Sequence, residues 1–205
     1  MIALFFEVTP KAGEETRYLD MAASLKPALE ANGGLLFLDR YKSHTRPRTL
    51  LSHQIWVDEA ALVRWRANGT HHRAQSVGRS AVLEDYRLRV GPVIAESGEG
   101  RGVAPQLEGL AYNDALITPE RFVIVVRSHT RPVSVNDTGE TFESVYRTAE
   151  FAWVGSVADR PEGYDALRRA AAEANVSAAQ LCLVSRDYGL HDRREAPQHF
   201  PVVAR

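Results

Sequence analysis

Apolar side chains recur along this chain with two alternating periods. Residues 2–8 form an apolar run closed by Thr9-Pro10, the pattern of a buried first strand, with Glu7 near its end. From residue 13 to 31 the period becomes helical: Tyr18, Met21, Ala22, Leu25 and Leu29 share a face, and Pro27 predicts a kink. Gly33-Gly34 ends that element. Strand alternation returns over 35–42 and again from Leu50, where Leu51, His53 and Ile55 alternate with Ser52, Gln54 and Trp56. The intervening turn, 43–49, contains Pro47 and predicts an antiparallel hairpin. Asp58 is a good helix cap, Asn68-Gly69 stops that helix, and Thr70 is expected to cap a second short one reaching Arg79. A fourth strand, 83–93, sets Tyr86, Leu88 and Val90 against Asp85, Arg87 and Arg89. Strand, helix, strand, strand, helix, strand is the ferredoxin-like plan, an α+β fold with an antiparallel sheet and helices on one face.

The period is then lost. Residues 96–115, rich in Gly, Glu and Pro, predict a linker between a first unit, 1–95, and a second, 116–205. In the second unit a strong strand over 122–127 leads into Ser128-His129-Thr130-Arg131-Pro132, the same five letters as Ser43-His44-Thr45-Arg46-Pro47. A strand over 144–157 containing Trp153, a helix with Leu167, Ala170, Ala171 and Ala174 on its apolar face, and a strand over 180–188 follow. The second half therefore reads as a degenerate repeat of the strand, strand, helix, strand portion of the first, without counterparts of the opening strand and helix.

Composition narrows the function classes. With 25 Lys plus Arg against 26 Asp plus Glu there is no positive excess to hold a nucleic-acid backbone or an anionic membrane. The lone cysteine, Cys182, sits in an apolar run and reads as a small core residue. The opening MIALFF lacks preceding basic residues and is interrupted by Glu7, so no secretory signal or span is expected and the expected location is cytoplasmic. No spaced Cys/His set, HExxH, P-loop or nucleophile elbow occurs, which argues against metal-dependent, nucleotide-dependent and serine-hydrolase chemistry.

Residues 50–79 gather Trp56, Trp65, His53, His71, His72, Gln75 and Arg79 on a strand, a helix and a break, the wall of a pocket. His71 and His72 are adjacent and point about 100° apart on a helix, so they cannot chelate one metal together; one is expected to face inward and the other water. Trp65 is a helix residue suited equally to core packing and to a pocket wall. His53 and Trp56 lie on opposite strand faces, so a regular strand lets only one of those faces line the pocket. Arg79 is expected in a surface ion pair with Glu84 or Asp85, and Glu7 could serve as a base if buried.

Three stretches, FEVTPKAG from Phe6, LLSHQIWVDEAALVRWR from Leu50 and HRAQSVGR from His72, resemble the antibiotic biosynthesis monooxygenase family over about residues 1–95. The resemblance implies a dimeric α/β-barrel, either closed by two units of one chain or formed by a homodimer. It also implies oxygenation of a small aromatic or polyketide-like molecule without metal or flavin cofactor, the substrate itself serving as reductant. His71, six positions after Trp65, falls where the quinone-forming branch has a Tyr that handles a proton. The haem-degrading branch is disfavoured because Gln75 stands where that branch has an iron-ligating His, and Gln is a poor axial ligand. His71 and Trp65 are the catalytic candidates, and Trp56, Gln75, Arg79, His53 and Glu7 the substrate-binding candidates. A non-catalytic ligand binder and an isomerase or cyclase are the rival readings of the same scaffold.

Overall fold

The computed structural model describes residues 1–98, 101–105, 120–131 and 137–197. In the first half, strand β1 (Ile2–Pro10) is followed by helices α1 (Glu15–Ser24) and α2 (Lys26–Asn32), strands β2 (Leu35–Ser43) and β3 (Leu50–Trp56), helices α3 (Glu59–Ala67) and α4 (Gly69–Val77), a π-helical turn (Gly78–Val82) and strand β4 (Leu83–Gly98). The predicted kink at Pro27 is a full break. The chain leaves α1 at Leu25 and restarts with Pro27 in the first turn of α2, where its missing N–H removes no helical bond.

Strand β5 (Arg101–Pro105) leads to the second half: β6 (Phe122–Ser128), β7 (Glu140–Ser144), β8 (Phe151–Val157), α5 (Arg160–Ala171), β9 (Val176–Leu183) and β10 (Arg186–Gly189). The first half pairs in the order β4-β1-β3-β2 and the second in the order β9-β6-β8-β7, the same ferredoxin-like arrangement twice. Edge strands β2 and β7 pair with each other, β4 pairs with both β9 and β1, and the sheet thereby closes on itself. The role a second copy plays in a dimeric barrel is taken by the chain's own second half.

Several expectations are corrected. The span 144–157 is the end of β7, a turn and β8, because the chain reverses after Ser144. Strand β6 pairs with β8 and β9 as β1 pairs with β3 and β4, so the second half does have an opening strand. The repeated hairpin is therefore a different one. Ser43 Oγ accepts the backbone N–H groups of Thr45 and Arg46 at 3.1 and 2.7 Å, and Ser144 Oγ those of Tyr146 and Arg147 at 3.2 and 3.0 Å. Arg48 and Ala149, five residues after each serine, have φ of 64° and 58°. The second SHTRP begins at the end of β6 instead, a position with the topology of the end of β1, and its match to the first is coincidental. The linker reading also changes. Residues 96–98 continue β4 and pair with β9, and 101–105 form β5, because backbone pairing with neighbours on both edges needs no side-chain period; residues 106–115 lie outside the described residues. On α5 the buried face is Gly163, Ala166, Leu167 and Ala170, while Ala171 and Ala174 are exposed.

Side-chain alternation sorts the barrel into an inside and two outsides. Ala3, Phe5, Leu51 and Ile55 point inward and meet Val123, Val125, Phe142 and Val154 of the second half. Cys182 is buried among them, and burial pushes its thiol pKa up. Ile2, Leu4, Trp56 and Val90 point outward under α2 and α3, whereas Ile124, Val126 and Trp153 pack under α5. Each fully buried side chain of this size contributes about 1.5–3 kcal/mol. Among the described residues no helix is long and apolar enough to cross a membrane.

Gly91 sits where β4 passes from its pairing with β1 to its pairing with β9, and a Cβ there would lie 1.8 Å from the Leu183 carbonyl oxygen. That oxygen is backbone and cannot swing aside. Gly91→Ala is expected to cost about 1–3 kcal/mol by prising this seam apart. Urea denaturation measures it, and an unchanged midpoint would show the seam is looser than described.

Candidate functional site

The outward face of the first half is not filled completely. Between it and the helices lies a cavity of about 190 Å³. Its floor follows from register: Arg40 pairs with Ser52, Ser52 with Phe6, Phe6 with Leu88 and Leu88 with Tyr188, one row across five strands. Gln54, Leu4 and Val90 form the adjacent row. Tyr18 and Met21 of α1, Leu62 and Trp65 of α3, and His71 and Gln75 of α4 close it from above. On the second half, Trp153 stands where Ser52 stands on the first, counting from Ser144 as from Ser43. Its indole packs against Gly139 and Gly155, which leave room for it. One half keeps a space and the other plugs it.

The break between α3 and α4 builds the most distinctive contact. Asp58 caps α3 by accepting from Ala61 N at 2.8 Å. Asn68, rather than the expected Thr70, caps α4, accepting from the N–H groups of Thr70 at 2.9 Å and His71 at 3.2 Å. The residue with the side-chain acceptor at the turn itself wins the cap, because it reaches two orphan amides at once. This folds His71 back over Trp65, with ring centroids 4.3 Å apart and planes 14° apart. His71 Nδ1 lies 3.0 Å from the Trp65 carbonyl oxygen. A carbonyl only accepts, so Nδ1 carries the hydrogen and Nε2 is left as an acceptor. Burial, only partly opposed by that hydrogen bond, pushes the His71 pKa down to about 4, so the ring is neutral at pH 7. His72 is exposed at the rim, dividing the two histidines as their spacing predicts.

Gln75 lines the cavity one turn beyond His71, and Arg79 follows from the π-helical turn. Arg79 does not lie on the surface. It is buried and donates to the Tyr86 hydroxyl at 2.5 Å, while Glu84 pairs with Arg48 and Asp85 accepts from Tyr86 N. The other candidates lie elsewhere. His53 points into the barrel, stacked on Phe5 at 4.7 Å, with Nδ1 3.3 Å from the Leu4 carbonyl; burial, helped by the Arg127 charge, lowers its pKa to about 3. Glu7, on the inward face of β1, is held by Arg89 at 2.6 Å and Arg46 at 2.7 Å, so it is not a free base in the cavity. Trp56 is on the cavity side of β3 but wholly buried, and it does not line the space. Its Nε1 donates to Gln54 Oε1 at 3.0 Å, and Gln54 Nε2 donates to Ser52 Oγ at 3.3 Å, so the indole orients two polar groups of the floor.

Sequence reasoning missed Arg40, Ser52, Gln54, Tyr86, Tyr188 and Arg193 as lining residues. Strand alternation places Ser52 and Gln54 beside Trp56, and Tyr86 on the face of Leu88 and Val90, which is a signal that could have found them. Arg193 comes from the chain after β10 and carries no local signal at all. Among the described residues, no three His, Cys, Asp or Glu side chains are grouped to hold a metal ion.

Comparison with known proteins adds the following. The antibiotic biosynthesis monooxygenase family profile matches residues 1–77. A jasmonate monooxygenase of Pyricularia oryzae is 34% identical over an alignment of 227 residues that covers 100% of both chains. Among solved structures, an antibiotic biosynthesis monooxygenase is similar at 16% identity and TM-score 0.41, covering 46% of this chain and 99% of that one. A Pseudomonas aeruginosa protein is similar at 19% identity and TM-score 0.39, covering 52% of this chain and 94% of that one.

Proposed function

The chain belongs to the antibiotic biosynthesis monooxygenase family, and on that premise we propose that it oxygenates a small apolar, ring-bearing molecule held between the β1-β3-β4 floor and the α3-α4 roof. The observation that carries this reading is the neutral imidazole of His71, stacked on Trp65 and bordering a cavity walled mainly by hydrocarbon. An apolar cavity excludes water from a reactive anion, and a neutral imidazole with a free Nε2 can take the proton that creates that anion.

In this reading His71 removes a proton from an activated C–H or phenolic O–H, and the resulting anion supplies electrons to dioxygen. For an aromatic or polyketide-like methylene the balance closes without an added reductant. The carbon loses two hydrogens, one oxygen atom becomes the new carbonyl oxygen, and the other leaves as water. Gln54 and Ser52, oriented from Trp56, and Gln75 on the roof offer hydrogen bonds to the substrate oxygens. Trp65 supplies a flat wall for a ring.

Oxygen consumption is the test, using hydroxylated anthracenes, naphthols and, because of the whole-length relative's name, jasmonate, with and without added reductant. One dioxygen consumed per product formed is the expected result. Binding without oxygen consumption across the panel, or product formed equally well under nitrogen, would overturn the proposal in favour of a binding protein or an isomerase respectively.

A further inference from the structure

Tyr86 stands in β4 with its buried ring against the cavity, edge-on to Phe6 at a centroid distance of 5.4 Å. Its backbone is pinned at both groups: the N–H donates to Asp85 Oδ1 at 2.8 Å, and the carbonyl accepts from Leu190 N at 3.2 Å. The side chain is fixed as firmly. Arg79 Nη1 donates to the phenolic oxygen at 2.5 Å and Arg193 Nη1 at 2.6 Å. A guanidinium has no acceptor, so in both contacts the oxygen accepts. A hydroxyl has two lone pairs and one hydrogen. Here both lone pairs are taken, and the hydrogen is left without an acceptor among the described residues. Each charged donor also draws electron density from the oxygen, which strengthens whatever bond the remaining hydrogen makes.

We infer that Tyr86 is a catalytic residue, the donor that steadies the negative charge appearing on a substrate oxygen when His71 takes the proton. This rests on the oxygenation proposed above. The proton passes to His71 Nε2, the electron pair stays on the substrate oxygen, and the Tyr86 O–H donates to that oxygen. In an apolar cavity such a bond is stronger than in water. His71 works from the roof and Tyr86 from the floor, so both act on one molecule lying between them. Arg79 and Arg193 are positioning residues in this scheme. They act through the phenol, fixing which way its hydrogen turns, and need no contact with the substrate. Arg193 follows β10, so the second half of the chain supplies part of the mechanism of a cavity built by the first.

The test is the ionisation of 2-naphthol bound to the full chain under nitrogen, followed by absorbance against pH for the wild type and Tyr86→Phe. In the wild type, bound naphthol should ionise at a lower pH than free naphthol. In Tyr86→Phe, affinity for neutral naphthol should change little, while naphtholate should bind about ten- to a hundredfold more weakly. The ionisation midpoint should rise correspondingly, by about one to two pH units. The variant keeps both guanidinium groups, so an unchanged or lower midpoint would show that their charges hold the anion directly, and it overturns the inference. So does a wild-type midpoint above that of free naphthol, a result that needs no variant. With oxygen admitted, Tyr86→Phe should lower kcat about 10²- to 10³-fold with KM little changed. A midpoint that moves as expected while no compound of the panel consumes oxygen counts against the proposed reaction and leaves the donor standing. Oxygen consumed by Tyr86→Phe at the wild-type rate, with a midpoint that stays put, does the reverse.

Discussion

Replacing Glu7 with alanine is expected to destabilise the fold by about 3–5 kcal/mol, the usual cost of removing one partner of a buried ion pair. Glu7 and Arg89 have side-chain exposures of 9% and 7%, face each other at 2.6 Å across β1 and β4, and are shut in by the barrel wall. Without Glu7 the Arg89 charge has lost its close counter-ion in a place where burial already penalises its charged form. The Arg46 contact with the same carboxylate adds less, because Arg46 is half exposed and keeps Glu140 as a second partner. Equilibrium denaturation measures the loss. Glu84→Ala, which removes the more exposed pair with Arg48, is the control at about 0–1 kcal/mol. If the two variants lose the same small amount, the Glu7 pair is wetter than its surroundings imply.

His71→Ala is expected to lower the rate of oxygenation by about 10²- to 10⁴-fold, the range for removing a general base, while weakening substrate affinity far less. The pH profile gives an independent readout. A base must be deprotonated, so kcat/KM should rise with pH through about 4, where burial places the His71 pKa, and run flat to neutrality instead of rising near 6.5. Stability moves with the same group. Its pKa in the folded chain lies below the ordinary value of 6.5, so an unfolded chain binds the proton first; stability present above pH 6.5 is lost as the pH falls towards 4. His53, lowered to about 3 inside the barrel, extends that loss to lower pH. A variant with wild-type rates at every pH would remove His71 from the chemistry and leave the stack as packing.

The first half of the fold was legible because its strands and the helices α1 and α3 each bury one face, and a face leaves a period. Asp58 as a cap and the strand alternation of β3 and β4 follow from local geometry, whereas α3 stops at Asn68 with extended rather than left-handed backbone and Gly69 already opens α4. The second half misled for a physical reason. Residues 144–157 contain a chain reversal whose turn, closed by the Ser144 hydroxyl on backbone amides, carries no Gly or Pro to announce it. The five-letter match looked like a repeat because identical letters are visible in a sequence, whereas the true equivalence, two serine-closed turns with a residue at positive φ, is a matter of backbone shape.

Helical spacing brings His71, Gln75 and Arg79 to one wall, whereas Trp65 joins them across the break at Asn68, whose cap folds α4 back onto α3. His53, Trp56 and Glu7 were separated from them by a choice that neither composition nor period contains, namely which face of the sheet turns toward the helices and which turns into the barrel. Alternation tells that His53 and Trp56 part company; only closure of β4 on β9, joining residues 93 and 182, decides which side is inside. The same long-range closure brings Arg193 to Tyr86. By itself, the sequence determined the elements of the first half and the family, since those depend on neighbours a few residues away. The tertiary structure alone decided where the cavity lies and what charge lines it, since those depend on contacts between residues about a hundred positions apart.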